Sequence, residues 1–199
     1  MASTFRQRQK ALLKQRLYSV SLKLFAAQGF EETTVRQITE KAGVGKGTFF
    51  NHFPAKENVV AEWYNRMTFE SLEEMRGRTF PSACETVCAL AEAMVTRAES
   101  APELLEAKAK IVHSSDLLSD AERTQDAEIA VFIGEHLEAG RKSGEIDPEL
   151  DVRFFTGVIV AVLTGTSREW VASRRGLDLR KTVRERTAFL FRAAHAMKS

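Results

Sequence analysis

Apolar residues return every three or four positions along most of the chain, and strict alternation never lasts beyond a few residues. That spacing predicts an all-α fold. Leu13, Leu17, Val20, Leu24 and Phe25 give the first helix one apolar stripe, which Gly29 ends. Thr34-Val35-Arg36-Gln37 reads as a capping box, in which Thr34 bonds the Gln37 amide and Gln37 reaches back. The second helix turns Val35, Ile38 and Ala42 inward and stops at Gly43. A short third helix, Lys46 to His52, is closed by Phe53-Pro54, and a fourth covers Lys56 to Arg76. Pro81 and Pro102 are placed like first-turn prolines, opening helices over 81–99 and 102–114. Ser119 or Asp120 starts another, which Lys142-Ser143-Gly144 terminates. Pro148 opens a strongly apolar helix to Ser173, and Asp178 caps a last one to Met197. The expectation is nine helices, three in an N-terminal head and six in a larger body.

The last two helices carry more apolar surface than one buried side needs. Val152, Phe155, Ile159 and Val162 form one stripe, and the small residues Gly157, Ala161 and Gly165 form another. Small residues at four-residue spacing let a second helix approach closely. The last helix has Val183, Leu190 and Ala194 on one side and Phe189 and Phe191 elsewhere. Phe155, Gly157, Ile159, Ala161, Gly165, Val183, Leu190 and Ala194 are therefore candidate dimer-interface residues, in a four-helix bundle with a second copy. The competing reading is a thicker core within one chain.

The most specific pattern lies between Thr33 and Lys56. Gly43-Val44-Gly45 joins two short helices, where Gly43 can turn the chain at positive φ and Val44 can plug the core. Such a turn sets the helices at a steep angle, so the second can enter a DNA major groove while the first braces it. Phe49 and Phe53 mark the buried face, leaving Lys46, Gly47, Thr48 and Asn51 on the outer, N-terminal side. These supply a cation for phosphate or guanine, close backbone approach, a hydroxyl, and an amide able to pair with adenine.

Charge supports that placement. The 199 residues carry a net +2, with 44% hydrophobic and 28% charged residues, ordinary values for a globular protein. Residues 1–56 hold ten Lys/Arg and three acids, a net +7, and the remainder is −5. A basic head on an acidic body points to a polyanion at one end only. Met1–Lys10 has basic residues without an apolar segment behind them, and the longest apolar run, Val158–Leu163, is too short to span a bilayer. A cytoplasmic protein without membrane partners is expected.

The segment resembles the DNA-binding domain of the tetracycline-repressor (TetR) family over about residues 10–65. The residues that carry the resemblance are Thr34, Ile38, Ala42-Gly43-Val44, Gly47-Thr48, His52-Phe53 and Lys56. The resemblance implies that Lys46, Gly47, Thr48 and Asn51 meet the groove and that Thr34, His52 and Lys56 hold phosphates. Arg36 and Gln37 would add groove or backbone contacts. Three positions depart from the family pattern. Phe50 replaces a tyrosine, so only ring packing remains of its contact. Gly45 replaces the serine cap of the third helix at a cost of a few tenths of a kcal/mol. Ala55 replaces the serine cap of the fourth, at roughly 1 kcal/mol.

The implied organisation is a helix-turn-helix DNA-binding domain over 1–55 and a ligand-binding and dimerisation domain over 56–199. The implied function is a transcriptional regulator, in the repressor sense, that binds a palindromic operator as a homodimer and is released by a small-molecule effector. By the same resemblance the effector site lies in the body, where Trp63, Met67, Met94, His113, Phe132 and His136 are the candidate lining. A constitutive dimeric DNA binder without an effector is the alternative.

Other chemistries fare worse. Gly43-Val44-Gly45-Lys46-Gly47-Thr48 mimics a scrap of a phosphate-binding loop, but Glu40 occupies the leading glycine position and a helix precedes it. No catalytic grouping or metal-ligand spacing appears, so no enzyme activity, cofactor or metal is expected. Cys84 and Cys88, four apart, read as small packed thiols, too far apart on a helix for an unstrained disulfide.

Overall fold

A computed structural model describes residues 2–112 and 114–196. The candidate pocket residue His113 and the expected helix end at Met197 lie outside them. The described residues form nine helices and no strand: α1 (Ala2–Gln28), α2 (Val35–Ala42), α3 (Lys46–Phe50), α4 (Glu57–Met75), α5 (Ala83–Ser100), α6 (Pro102–Ile111), α7 (Asp116–Ser143), α8 (Val152–Ala172) and α9 (Leu179–Ala196). None of them is long and apolar enough to cross a membrane.

The chain forms two compact units. The first is Met1–Trp63 with Ala101–Ser119, and the second is Tyr64–Ser100 with Asp120–Ser199. The boundary therefore falls inside α4, and α6 belongs with the first three helices, packing on α1.

In the first unit the apolar stripe of α1 buries Leu17, Leu24 and Phe25, joined in the interior by Ile38, Phe49, Phe53, Val59 and Val60. Gly29 ends α1 at φ 84°, in the left-handed region where a side chain is disfavoured. In the second unit Met75, Val87, Leu90, Ile129, Ile133, Leu137, Ile146, Phe155 and Ile159 form one core, with Leu190, Phe191 and Ala194 packed against it. Arg184 of α9 reaches Glu85 and Glu92 of α5, and Arg180 reaches Glu99. These pairs are exposed, so they add little stability beyond fixing the register of α9 on α5.

Helix starts differ from the sequence expectation where a side chain caps at another position. Ser82 Oγ accepts the Glu85 amide at 3.1 Å, so α5 begins at Ala83 and Pro81 precedes the cap. Glu145, from the link after α7, adds a second cap, accepting the Ala83 amide at 2.8 and 3.0 Å. Helix α7 starts three residues before Ser119, with Ser115 Oγ accepting the Leu118 amide. Asp151 caps α8 by accepting the Phe154 amide at 3.0 Å, which leaves Pro148 in the preceding turn. The expected caps at Thr34 and Asp178, and Pro102 in the first turn of α6, are as the sequence indicates.

Candidate nucleic-acid interface

The helix-turn-helix is built by local hydrogen bonds. Thr34 Oγ1 accepts the Gln37 amide at 3.2 Å, and Gln37 Oε1 accepts the Thr34 amide at 2.8 Å and the Thr34 hydroxyl at 3.0 Å. Both side chains are thus engaged in fixing the N-terminus of α2. Arg36, fully exposed, pairs with Glu40 one turn on, Nε to Oε1 at 2.7 Å. Gly43, at φ 66°, ends α2 in the left-handed region and donates its amide to the Glu40 carbonyl. Gly45 is extended and caps α3 without a side-chain bond.

Phe49 and Phe53 are buried with ring centroids 5.7 Å apart, which sets the roll of α3. Lys46, Gly47, Phe50 and Asn51 are left exposed. Positions 46 and 50, and 47 and 51, are each one turn apart, so the four form one outward face. A Cβ built on Gly47 meets nothing within 4 Å, so the glycine is not required by packing in the free protein.

Thr48 and His52 are half-buried along one edge of this face. With Asn51 they form one wall of a groove of about 700 Å³, whose other wall is Gln9, Lys10, Leu12, Leu13 and Arg16 of α1. Partial burial, then the positive charges of Lys10 and Lys14, hold the His52 imidazole below its ordinary pKa.

Lys56 is placed differently from the phosphate contact that the resemblance implies. Its ammonium donates to the carbonyls of Phe30 at 2.6 Å, Thr33 at 2.9 Å and Glu31 at 3.4 Å, and lies 4.1 Å from the Phe30 ring centroid. Three N–H groups facing three carbonyls stitch the α1–α2 link to the start of α4. Sequence reasoning also missed Asn58. Its Oδ1 accepts the Ala55 amide at 2.7 Å, a reverse cap that offsets the absent serine at position 55. The signal was an amide side chain three residues after an uncapped position.

In the second unit, Met67, Met94, Phe132 and His136 lie on α4, α5 and α7. Met94 and Phe132 pack against the core, and the Phe132 and His136 rings are 4.3 Å apart. His136 Nδ1 lies 2.8 Å from the Phe132 carbonyl, so Nδ1 is the donor nitrogen. Trp63 is buried in the first unit. Among the described residues, five buried side-chain oxygens of the second unit have no hydrogen-bond partner, those of Thr68, Glu73, Gln125, Thr156 and Thr187; Thr68 follows Met67 in sequence, and Gln125 lies two turns before Phe132 on α7.

The candidate interface residues divide in two. Phe155, Ile159 and Val183 are buried within the chain, and Leu190 and Ala194 pack on its core. Gly157, Ala161 and Gly165 are exposed, beside Phe154 at 71% exposure on α8 and Phe189 at 62% on α9. Both cysteines are free. A hydrogen bond from Cys88 holds the Cys84 thiol below the ordinary thiol range and raises that of buried Cys88.

The sequence model for bacterial regulatory proteins of the tetR family matches residues 17–63. Over 186 residues the chain is 31% identical to the HTH-type transcriptional regulator TcmR of Streptomyces glaucescens, covering 83% of this chain and 76% of that protein. Among solved structures it is similar to FadR of Thermus thermophilus in complex with lauroyl-CoA, with a TM-score of 0.73, 23% identity, and coverage of 89% of this chain and 92% of that one. FadR of Bacillus subtilis in complex with stearoyl-CoA is similar as well, with a TM-score of 0.69, 20% identity, and coverage of 89% and 97%.

Proposed function

The chain belongs to the tetR family of bacterial regulatory proteins, and from that premise we propose that it is a repressor that binds a palindromic operator as a homodimer and leaves it when a small molecule binds. The observation that carries this reading is the outward face of α3. Lys46, Gly47, Phe50 and Asn51 are exposed together on a helix whose roll is fixed by Phe49 and Phe53 and whose angle is set at Gly43. Two such faces related by a two-fold axis would read half-sites about one helical turn apart, near 34–36 Å, or a multiple of that spacing. Domain roles follow the sequence division, DNA binding in 1–55 and ligand binding with dimerisation in 56–199.

The dimer contact is assigned to the exposed apolar stripe Phe154, Gly157, Ala161 and Gly165 of α8 with Phe189 of α9. Such a stripe is costly to leave in water, and its small residues allow close helix approach.

The effector is assigned to the second unit beside Met67, Met94, Phe132 and His136, where Thr68 and Gln125 hold unpaired buried oxygens. Buried polar atoms normally have partners, and a ligand group would supply them. Acyl-CoA is the proposed class, because the two FadR structures hold lauroyl-CoA and stearoyl-CoA and the residues here are mostly apolar. A thermal-shift titration tests the reading. Lauroyl- or stearoyl-CoA should raise Tm and release the protein from a duplex that it selects out of a randomised library. Enrichment of a palindrome with no response to either thioester would favour a constitutive DNA binder. Failure to enrich any sequence would overturn the DNA reading itself.

A further inference from the structure

Cys84 lies in the first turn of α5, and its sulfur accepts a hydrogen bond from Cys88 one turn on. It is half-buried, whereas Cys88 is buried. Within the second unit, Cys84 lines a pocket of about 470 Å³ formed by the start of α5, the α7–α8 link, α8 and α9. Ile146, Phe155, Ala188 and Phe191 are its apolar walls. Two contacts hold those walls in place. Phe155 and Phe191 meet edge to face with ring centroids 5.4 Å apart. A Cβ on Gly140 would stand 3.1 Å from Ile146 and 3.3 Å from Ala83, so the link is seated closely on α5. None of Met67, Met94, Phe132 and His136, assigned above to the reversible effector, lines this pocket.

We propose that Cys84 is a covalent modification site for an apolar α,β-unsaturated carbonyl compound, whose carbon chain is held by Phe155 and Phe191 and whose β-carbon is presented to the sulfur. The Cys84 Sγ bonds to the β-carbon, the π pair of the C=C bond moves onto the carbonyl oxygen as an enolate, and the α-carbon then takes a proton from water. The thiol proton has gone to water, so thiol and enone give one thioether without an oxidant. The surroundings suit a nucleophile. The hydrogen bond from Cys88 and the N-terminus of α5 favour the thiolate, and Arg184 of α9 adds to them. Partial burial, Glu85 and Glu145 oppose it, but the Cys84 thiol still lies below the ordinary range, and Glu145 is engaged by the Ala83 amide. Asp147 of the link and Arg192 and His195 of α9 are the other charged or titratable groups at the pocket. Arg192 brings a cation to the pocket where charge develops on the enolate oxygen. A peroxide suits the site less. It is small and polar and uses no apolar wall, and two cysteines four apart on one helix are poorly placed to close a disulfide.

The test uses the full chain and two vinyl ketones with the same reacting group, 1-octen-3-one and methyl vinyl ketone. Each rate is divided by the rate of that ketone with glutathione. Intact mass and peptide mapping should show one adduct, on Cys84, and Cys84→Ser should take up neither ketone. The extra methylenes of octenone reach the apolar walls, so its normalised rate should exceed that of methyl vinyl ketone by about tenfold or more. Ala188→Phe fills the pocket from α9 and should remove this preference with little effect on methyl vinyl ketone. Cys88→Ala removes the hydrogen bond to Cys84 and should move the midpoint of its pH–rate profile upward. Equal normalised rates in the wild type overturn the proposal, as does an adduct that forms first on Cys88 or a preference for octenone that survives Ala188→Phe. None of these readouts requires DNA.

Discussion

The ammonium of Lys56 donates a 2.6 Å hydrogen bond to the carbonyl of Phe30 and lies 4.1 Å from the centre of the same residue's ring. One side chain thereby ties the loop before α2 to the start of α4, and Thr33 and Glu31 supply further acceptors. Lys56→Ala removes a charged donor from partly buried carbonyls and should cost about 2 kcal/mol. Denaturant unfolding followed by the fluorescence of Trp63 and Trp170 measures this. If Lys56 acts mainly on phosphate, stability will be unchanged and only the salt slope of DNA binding will fall.

His52 gives the interface a pH dependence. Its pKa lies below the ordinary value in the folded chain, so the unfolded chain binds more protons in the window just below pH 6.5. Stability contributed at this site is therefore lost as pH falls through that window and present above it. Phosphate beside the ring would stabilise the imidazolium, so DNA binding should take up a proton and tighten from pH 7.5 to pH 6. His52→Gln should flatten that trend in anisotropy titrations at fixed salt. An identical trend in the variant would place the proton uptake elsewhere.

The sequence shows the fold more fully than the side-chain roles. The capping box at Thr34 and Gln37, the turn at Gly43 and the buried pair Phe49 and Phe53 are local features, determined by residues within one or two turns, and the structure shows each of them. What was hidden depends on partners distant in sequence. Glu145 caps α5 from 62 residues away, and Lys56 turns to carbonyls 23 to 26 residues back. Two apolar stripes on α8 are visible in the sequence, but their pattern does not say that Phe155 and Ile159 face the chain's own core. Periodicity identifies a buried face without identifying what buries it.

The exposed small stripe of α8 yields a prediction about assembly. Ala161→Arg places a long charged side chain where two helices are proposed to meet closely. Overpacking of this kind costs roughly 1–3 kcal/mol, so dimer dissociation should strengthen by a factor of about 5–150. Sedimentation equilibrium across a dilution series reads this directly. A variant that remains as dimeric as the wild type would exclude this face.

Effector and operator should oppose each other. Helix α4 runs unbroken from Glu57 to Met75 and so carries residues of both units. A ligand that favours one position of this helix shifts the population toward it, and linkage makes the effect reciprocal. Stearoyl-CoA affinity should fall on adding the enriched duplex by the same factor, typically 5–150-fold, by which stearoyl-CoA weakens duplex binding. Equal stearoyl-CoA affinity with and without duplex would show that the body is not an allosteric sensor.

The central claim is that the outward face of α3 reads bases. Asn51 is exposed at the end of that helix, so Asn51→Ala leaves the packing of Phe49 and Phe53 untouched. Anisotropy titrations of wild type and Asn51→Ala against the enriched and random duplexes measure the preference ratio. Loss of a bidentate base contact costs about 1–3 kcal/mol of discrimination. The predicted result is a ratio reduced by about 5–150-fold with random-duplex affinity nearly unchanged, and an undiminished ratio would contradict the account.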